Sequence, residues 1–320
     1  MNSRKILITH DLDSSLLTKI ETRFSEWTIV HTTKQDDWEE HIKDAEIIVG
    51  WKSKFNLSTI MQNNKLKWIQ TWSAGVNSLP LKQLAQKNIV LTSANGVHSY
   101  PISETIFALL LGLTRNIHTY VRNQLEKKWD GTDIKLEAHK KTIGIIGVGA
   151  IGQETAKISK ALNMHVIGVR NSQKPTEYVD ELYTSDQLNE VLPLCDYVVV
   201  TLPLTDTTFH LFTKDQFQHM KKTAFFINIG RGEIVKEDDL IEALTNGEIL
   251  GAGLDVFETE PLENSSPLWD LDNVIITPHT SGSTEHYTNR VIEDIFLPNA
   301  SYYLKEEQLP INVVDYHKGY

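Results

Sequence analysis

The stretch Thr142-Ile143-Gly144-Ile145-Ile146-Gly147-Val148-Gly149-Ala150-Ile151-Gly152 decides the fold. An apolar, β-branched run passes directly into G-x-G-x-x-G. A helical pattern, Ala150–Leu162, and a second apolar run, His165–Val169, follow. Strand, tight turn, helix and strand form the setting in which this glycine pattern holds a dinucleotide. Gly147 permits the turn, Gly149 lets the backbone approach a pyrophosphate with no Cβ in the way, and Gly152 lets helix and sheet pack closely. The helix N-terminus, where Ala150 and Ile151 lie, presents free N–H groups and a positive dipole end to phosphates. The competing reading is a glycine-rich turn with no ligand.

Working outward, both halves of the chain alternate short apolar runs with polar helical spacing, which implies parallel sheets covered by helices. In the first half the strands read as Lys5–Thr9, Thr28–Val30, Glu46–Gly50, Lys67–Trp72 and Ile89–Thr92, with Leu12–Phe24 and Asp36–Lys43 helical between them. In the second half Tyr197–Thr201, Ala224–Asn228, Gly251–Val256 and Val274–Thr277 continue the series, and Glu237–Thr245 is a helix ended by Asn246-Gly247. Ser99–Arg122 reads as one long helix leaving the first domain, capped by Ser99 and with Pro101 in its first turn. Thr284–Lys305 reads as a final helix that returns the chain to that domain.

The end of the second strand of the glycine unit distinguishes cofactors. NAD sites place Asp or Glu there, about 20 residues into the motif, to bind the ribose hydroxyls. Here the strand runs into Arg170-Asn171-Ser172-Gln173-Lys174. A guanidinium stacks on adenine and pairs bidentately with a 2′-phosphate, so NADP(H) is favoured over NAD(H). An inert basic surface turn is the bland alternative.

Three further residues fall just after strands, where ligands of doubly wound sheets bind. Arg231 follows Ile227-Asn228-Ile229-Gly230, Glu260 follows Leu254–Thr259, and His279 follows Ile275-Ile276-Thr277-Pro278. Reducing a 2-keto acid requires a cation to hold the carboxylate and polarise the carbonyl, which suits Arg231. It also requires a proton donor near neutral pH, which suits His279. A carboxylate beside the imidazole orients it and favours its protonated form, the part given to Glu260. Taken singly, each has an ordinary surface or loop explanation; their joint placement beyond a dinucleotide loop argues otherwise.

These motifs resemble the D-isomer-specific 2-hydroxyacid dehydrogenases, and in particular their glyoxylate/hydroxypyruvate reductase branch. The resemblance rests on Gly147–Gly152, Asn228-Ile229-Gly230-Arg231-Gly232, Gly253–Leu262 and Thr277-Pro278-His279, and extends over nearly the whole chain. It implies that Arg231, Glu260 and His279 are catalytic. It implies that the backbone N–H groups of Ser73, Ala74, Gly75 and Val76 hold the substrate carboxylate, and that Asn95-Gly96-Val97 is the crossover into the long helix. Asp255 would contact the nicotinamide side of the cofactor, so the cofactor set is Gly147, Gly149, Ala150, Ile151, Gly152, Arg170, Asn171, Ser172, Pro203 and Asp255. The implied architecture is α/β, with two Rossmann-like doubly wound parallel-sheet domains and the active site in the cleft between them. Residues 1–98 would open the substrate domain, 99–285 form the dinucleotide-binding domain, and 286–320 return to the first. A homodimer is expected, with D stereochemistry. Arg170 stands where many NAD-using members carry Asp and resembles the basic turn of NADP-using reductases. The short stretch after the last helix leaves no regulatory domain of the kind some phosphoglycerate dehydrogenases carry, which weighs against that substrate.

Composition narrows the remaining classes. The chain has 320 residues, 40% hydrophobic and 23% charged, as expected of a globular protein of two domains. A net charge of −11 argues against general nucleic-acid binding. The longest apolar run, Ile106–Leu113, is too short for a bilayer, and Met1–His10 shows no signal-peptide pattern. The single cysteine, Cys195, reads as a core residue and fits a reducing, cytoplasmic setting. His98, His118 and His219 lack metal-ligand spacing, so no metal is expected. Trp51, Trp68 and Trp72 read as core, with Trp51 also a candidate cleft residue. Two rivals remain. A formate-type dehydrogenase needs no Glu–His acid/base pair. A nucleotide-sensing interaction protein on the same fold would bind cofactor without turnover.

Overall fold

The computed structural model describes residues 4–76, 78–131, 136–172 and 174–316, apart from the Asp36 side chain. Gln173 of the basic turn therefore lies outside the described residues, as do the ends 1–3 and 317–320 of the expected substrate domain. The chain forms two compact units. One comprises residues 1–97 and 284–320, and the other residues 98–283.

The first unit is built on a five-stranded parallel sheet: β1 (Lys5–Ile8), β2 (Thr28–His31), β3 (Ile47–Val49), β4 (Trp68–Gln70) and β5 (Val90–Thr92), in the order β2-β1-β3-β4-β5. β1 and β3 are adjacent, and the connections leave them in opposite directions. Because both faces are covered, the inner strands are continuously apolar rather than alternating. Leu7, Ile48 and Ile69 pack on one face, and Ile6, Ile47 and the fully buried Trp68 on the other.

In the second unit, β6 (Thr142–Ile146), β7 (His165–Val169), β8 (Glu181–Tyr183), β9 (Tyr197–Val200), β10 (Phe225–Asn228), β11 (Gly251–Leu254) and β12 (Val274–Ile276) form a parallel sheet in the order β12-β11-β10-β9-β6-β7-β8. The connections switch direction at β6, between β7 and β9. The helix Ser99–Thr114 lies on this sheet with Ile106, Leu109, Leu110 and Leu113 buried.

Three expectations need correction. The long helix breaks at Asn116, whose left-handed conformation (φ 53°) ends one helix and opens another, Ile117–Leu125. Asparagine is among the few residues that adopt this conformation readily. Ser99 is the first helical residue and His98 occupies the cap position, so the expected Ser99 cap is absent. The final helix is continuous over residues 287–303, shorter at both ends than expected, and it widens to a π-helical stretch over Arg290–Phe296. Pro298 accounts for the change of register, because it has no N–H for Asp294 and its ring crowds that carbonyl. Further elements had too little periodicity to stand out, among them the short helices Leu57–Gln62, Leu81–Gln86 and Lys214–His219 and the edge strand β8.

Candidate active site

Every candidate in the second unit lies beyond the carboxyl end of a strand. β6 enters the glycine loop. Gly147 has φ 110°, which a side chain would resist. A Cβ on Gly152 would lie 2.3 Å from the Gly147 carbonyl oxygen, so helix and loop touch there. Gly149 is exposed, has open space where a Cβ would stand, and caps the 12-residue helix Ala150–Ala161. An empty cradle at a helix N-terminus fits a pyrophosphate.

Beyond β7, Arg170 is held by its neighbours: Nη1 donates to Thr176 Oγ1 at 2.8 Å and Nη2 to Ser172 Oγ at 3.1 Å. Among the described residues no carboxylate pairs with it, which leaves its charge for a ligand. Asn171 instead accepts from Ser185 Oγ at 3.0 Å. Pro203, beyond β9, lies in an exposed turn, where its carbonyl accepts from Thr208 Oγ1 at 2.8 Å.

The loops after β10, β11 and β12 interlock. The Asn228 side chain donates to the Arg231 carbonyl at 3.1 Å and accepts from Gly230 N–H at 3.1 Å, which folds the loop tightly. The Arg231 guanidinium is exposed, contacts its own Gly230 carbonyl at 2.6 Å, and has no acidic partner among the described residues. Gly232 presses on the next loop: a Cβ there would lie 1.9 Å from the Phe257 carbonyl carbon and oxygen. Three residues past that contact stands Glu260. Its Oε1 accepts from Phe257 N–H at 3.0 Å and its Oε2 meets His279 Nδ1 at 2.7 Å. Nε2, the other ring nitrogen of His279, is thereby left for a reacting group. The His279 side chain is 47% exposed.

Asp255 is fully buried. Its carboxylate accepts from Thr277 Oγ1 at 2.6 Å, Thr280 N–H at 3.0 Å and Ser281 N–H at 3.1 Å, and its carbonyl accepts from His279 N–H at 2.8 Å. It thus clamps the His279 loop. The sequence reading did not single out that part, although an Asp followed by Val-Phe at a strand end is a visible cue. A second imidazole–carboxylate contact was also missed, His210 Nε2 to Glu258 Oε1 at 2.6 Å. Glu258 and Glu237 accept from each other's backbone N–H at 3.1 Å, joining this loop to the helix Glu237–Thr245.

In the first unit, the loop Ser73–Val76 follows β4. Thr71 Oγ1 and Ala94 N–H hold the Ser73 carbonyl, and Ser73 Oγ donates to the Gly75 carbonyl at 2.7 Å. Among the described residues the N–H groups of Ala74, Gly75 and Val76 have no acceptor, an arrangement suited to an anion. Cys195 is buried and its thiol is pushed up to about 12 by burial, which makes it inert.

Residues 107–281 match the family model described as D-isomer specific 2-hydroxyacid dehydrogenase, NAD binding domain. The chain belongs to the D-isomer specific 2-hydroxyacid dehydrogenase family. It is accordingly an NAD(P)-dependent oxidoreductase acting on a CH–OH group. Glyoxylate/hydroxypyruvate reductase B of Serratia proteamaculans is 34% identical over 292 residues, which cover 88% of this chain and 89% of that protein. A family member of known structure from Aeromonas salmonicida is 32% identical with a TM-score of 0.80, covering 98% of this chain and 99% of that one. An NADPH-dependent glyoxylate/hydroxypyruvate reductase from Sinorhizobium meliloti, solved with NADP and sulfate, is 26% identical with a TM-score of 0.76, covering 99% of this chain and all of that one. The two parallel sheets are the family's two-domain fold.

Proposed function

We propose that this dehydrogenase reduces small 2-keto acids to D-2-hydroxy acids, with NADP(H) favoured over NAD(H) and glyoxylate and hydroxypyruvate as substrates. The observation that carries the reading is the 2.7 Å contact between Glu260 and His279, on the loops beyond β11 and β12 of the sheet whose β6 enters the glycine loop.

A reduced nicotinamide supplies the hydride. Gly147, Gly149, Ala150, Ile151 and Gly152 would hold the pyrophosphate, Arg170, Asn171 and Ser172 the 2′-phosphate and adenosine, and Pro203 would border the remainder. Asp255, expected from the sequence to touch the nicotinamide side, is fully buried and serves the site through the His279 loop that it clamps. The free N–H groups of the Ser73–Val76 loop and the Arg231 guanidinium hold the substrate carboxylate, and Arg231 also polarises the keto group. As the hydride reaches the carbonyl carbon, the C=O electron pair moves to oxygen, and His279 Nε2 gives its proton to that oxygen. Glu260 holds the ring and stabilises its charged form before transfer. Oxidation reverses these steps.

The Glu–His pair favours this reading over a formate-type reaction, in which no proton is exchanged. It also favours turnover over cofactor sensing. A homodimer is proposed as well: Ile117, Val121 and Leu125 form an exposed stripe along the helix Ile117–Leu125, Leu125 being 82% exposed, and Trp129, just past the helix end, is fully exposed beside them in sequence. Light scattering should give twice the chain mass for wild type, and the chain mass for Leu125→Asp. A cytoplasmic setting completes the proposal.

The test is oxidation of NADPH and NADH by the purified protein with glyoxylate and hydroxypyruvate. Turnover favouring NADPH is expected. Cofactor binding without turnover of any 2-keto acid would favour the sensing role.

A further inference from the structure

Glyoxylate has no side chain and hydroxypyruvate only a hydroxymethyl group. The first unit nevertheless contains a cavity of about 600 Å³, within the range of pockets that hold drug-sized ligands. Its position is that of a ligand site. His10 lies just beyond β1 and Trp51 just beyond β3, and these adjacent strands flank the point where the sheet's connections change direction. Open α/β sheets bind ligands at that point. Ser73, the first residue of the proposed carboxylate loop, also lines the cavity.

The lining is bulky and uncharged. Trp51, Phe55, Leu57, Trp72, Leu79 and Pro80 supply most of it. The Trp51 and Phe55 rings meet edge-on at 5.5 Å, and His10 stacks on Trp72 at 4.2 Å with the rings 9° from parallel. The nearby charge, Lys52, is not among the lining residues and contacts one of them. Lys52 Nζ lies 3.0 Å from His10 Nε2. An ammonium only donates, so Nε2 must accept and the ring is neutral. Burial and the Lys52 charge push the His10 imidazole down to about 4, so it remains neutral at working pH. Tyr287 fixes the wall from behind by donating to the Trp72 carbonyl at 2.5 Å.

We propose that this cavity receives the side chain of the 2-keto acid, and that the preferred substrates carry a bulky apolar or aromatic group at C3. The inference rests on the 2-keto acid reading above and names the substrate class within it. A flat ring fits between aromatic walls, with apolar burial as the driving force.

The experiment compares kcat/KM at saturating NADPH for phenylpyruvate, 4-methyl-2-oxopentanoate, hydroxypyruvate, glyoxylate and 2-oxoglutarate. Phenylpyruvate should exceed glyoxylate by at least about tenfold, the low end of what one well-placed methylene gives. Ser53→Trp, at an exposed position on the rim, should lower that ratio by filling the cavity, and Trp51→Ala should lower it by removing a wall. The wild-type series decides the matter even if a variant fails to fold. Glyoxylate equal to or better than phenylpyruvate overturns the inference and leaves the 2-keto acid reading standing. A preference for 2-oxoglutarate overturns it in favour of a charged terminus reaching Lys52. No turnover of any of the five overturns both.

Discussion

His279 has φ 51°, in the left-handed region that few residues other than glycine occupy, although histidine is among those found there more often. Strain of this kind persists where surrounding contacts over-determine it. Here the Asp255 clamp and the Glu260 contact do so, fixing the imidazole before substrate arrives. Arg170 shows the same economy: Thr176 and Ser172 hold its fork but leave its charge unpaired among the described residues. Replacing that charge with an acid should exchange 2′-phosphate recognition for ribose recognition. Arg170→Asp is expected to weaken NADPH binding about 10- to 100-fold, since a hydrogen bond to a charged group contributes about 1.5–3 kcal/mol. NADH binding should hold steady or improve. Equal losses for both cofactors in a fluorescence titration would remove Arg170 from phosphate recognition.

Between elements, the site depends on backbone contact more than on side-chain contact. Gly232 lets the Arg231 loop rest directly on the Phe257 peptide, which joins the loops that carry Arg231 and Glu260. Gly232→Ala must therefore displace backbone, not a yielding side chain. It should cost about 1–3 kcal/mol in urea unfolding and lower kcat; unchanged stability together with unchanged kcat would show that the contact is not needed. This level also explains what could be read from sequence. The ends of β6, β7, β10, β11 and β12 were legible because continuous apolar runs stop abruptly at Gly, Arg, Asn, Asp and Thr-Pro, and parallel topology sends all such ends to one edge. The break at Asn116 and the π-helical turn before Pro298 were harder, since apolar spacing continues through both. The cavity was not legible beyond a hint at Trp51. It is assembled from residues after β1, β3 and β4 whose packing has no signature in spacing.

On the scale of the whole chain, the first unit is made from both ends of the sequence, so its stability requires them to meet. Arg4, Glu46 and Tyr303 meet at a point that draws on three distant segments. Arg4 donates to Glu46 at 3.0 and 2.6 Å, Tyr303 donates to it at 2.8 Å, and Arg4 lies 4.0 Å over the Trp27 ring. Burial pushes the Glu46 carboxyl up, but the bonds from Arg4 and Tyr303 outweigh it and leave the group below its ordinary 4.5. A carboxyl depressed on folding adds stability above its unfolded pKa, and that stability is lost as pH falls through the folded value. Glu46→Gln should therefore cost about 1–2 kcal/mol near neutral pH, reduced from the buried-pair range because Arg4 is 42% exposed. The gap from wild type should close below pH 4.5. A gap independent of pH, measured by urea unfolding across the acid range, would assign the loss to packing. The central claim concerns the reaction itself, and single-turnover oxidation of NADPH by hydroxypyruvate, compared between wild type and His279→Ala, tests it most directly. The account predicts a rate lowered on the order of 10²–10⁴-fold with NADPH affinity nearly unchanged, because His279 acts on the proton and not on the nucleotide. A variant that transfers hydride at close to the wild-type rate would contradict it.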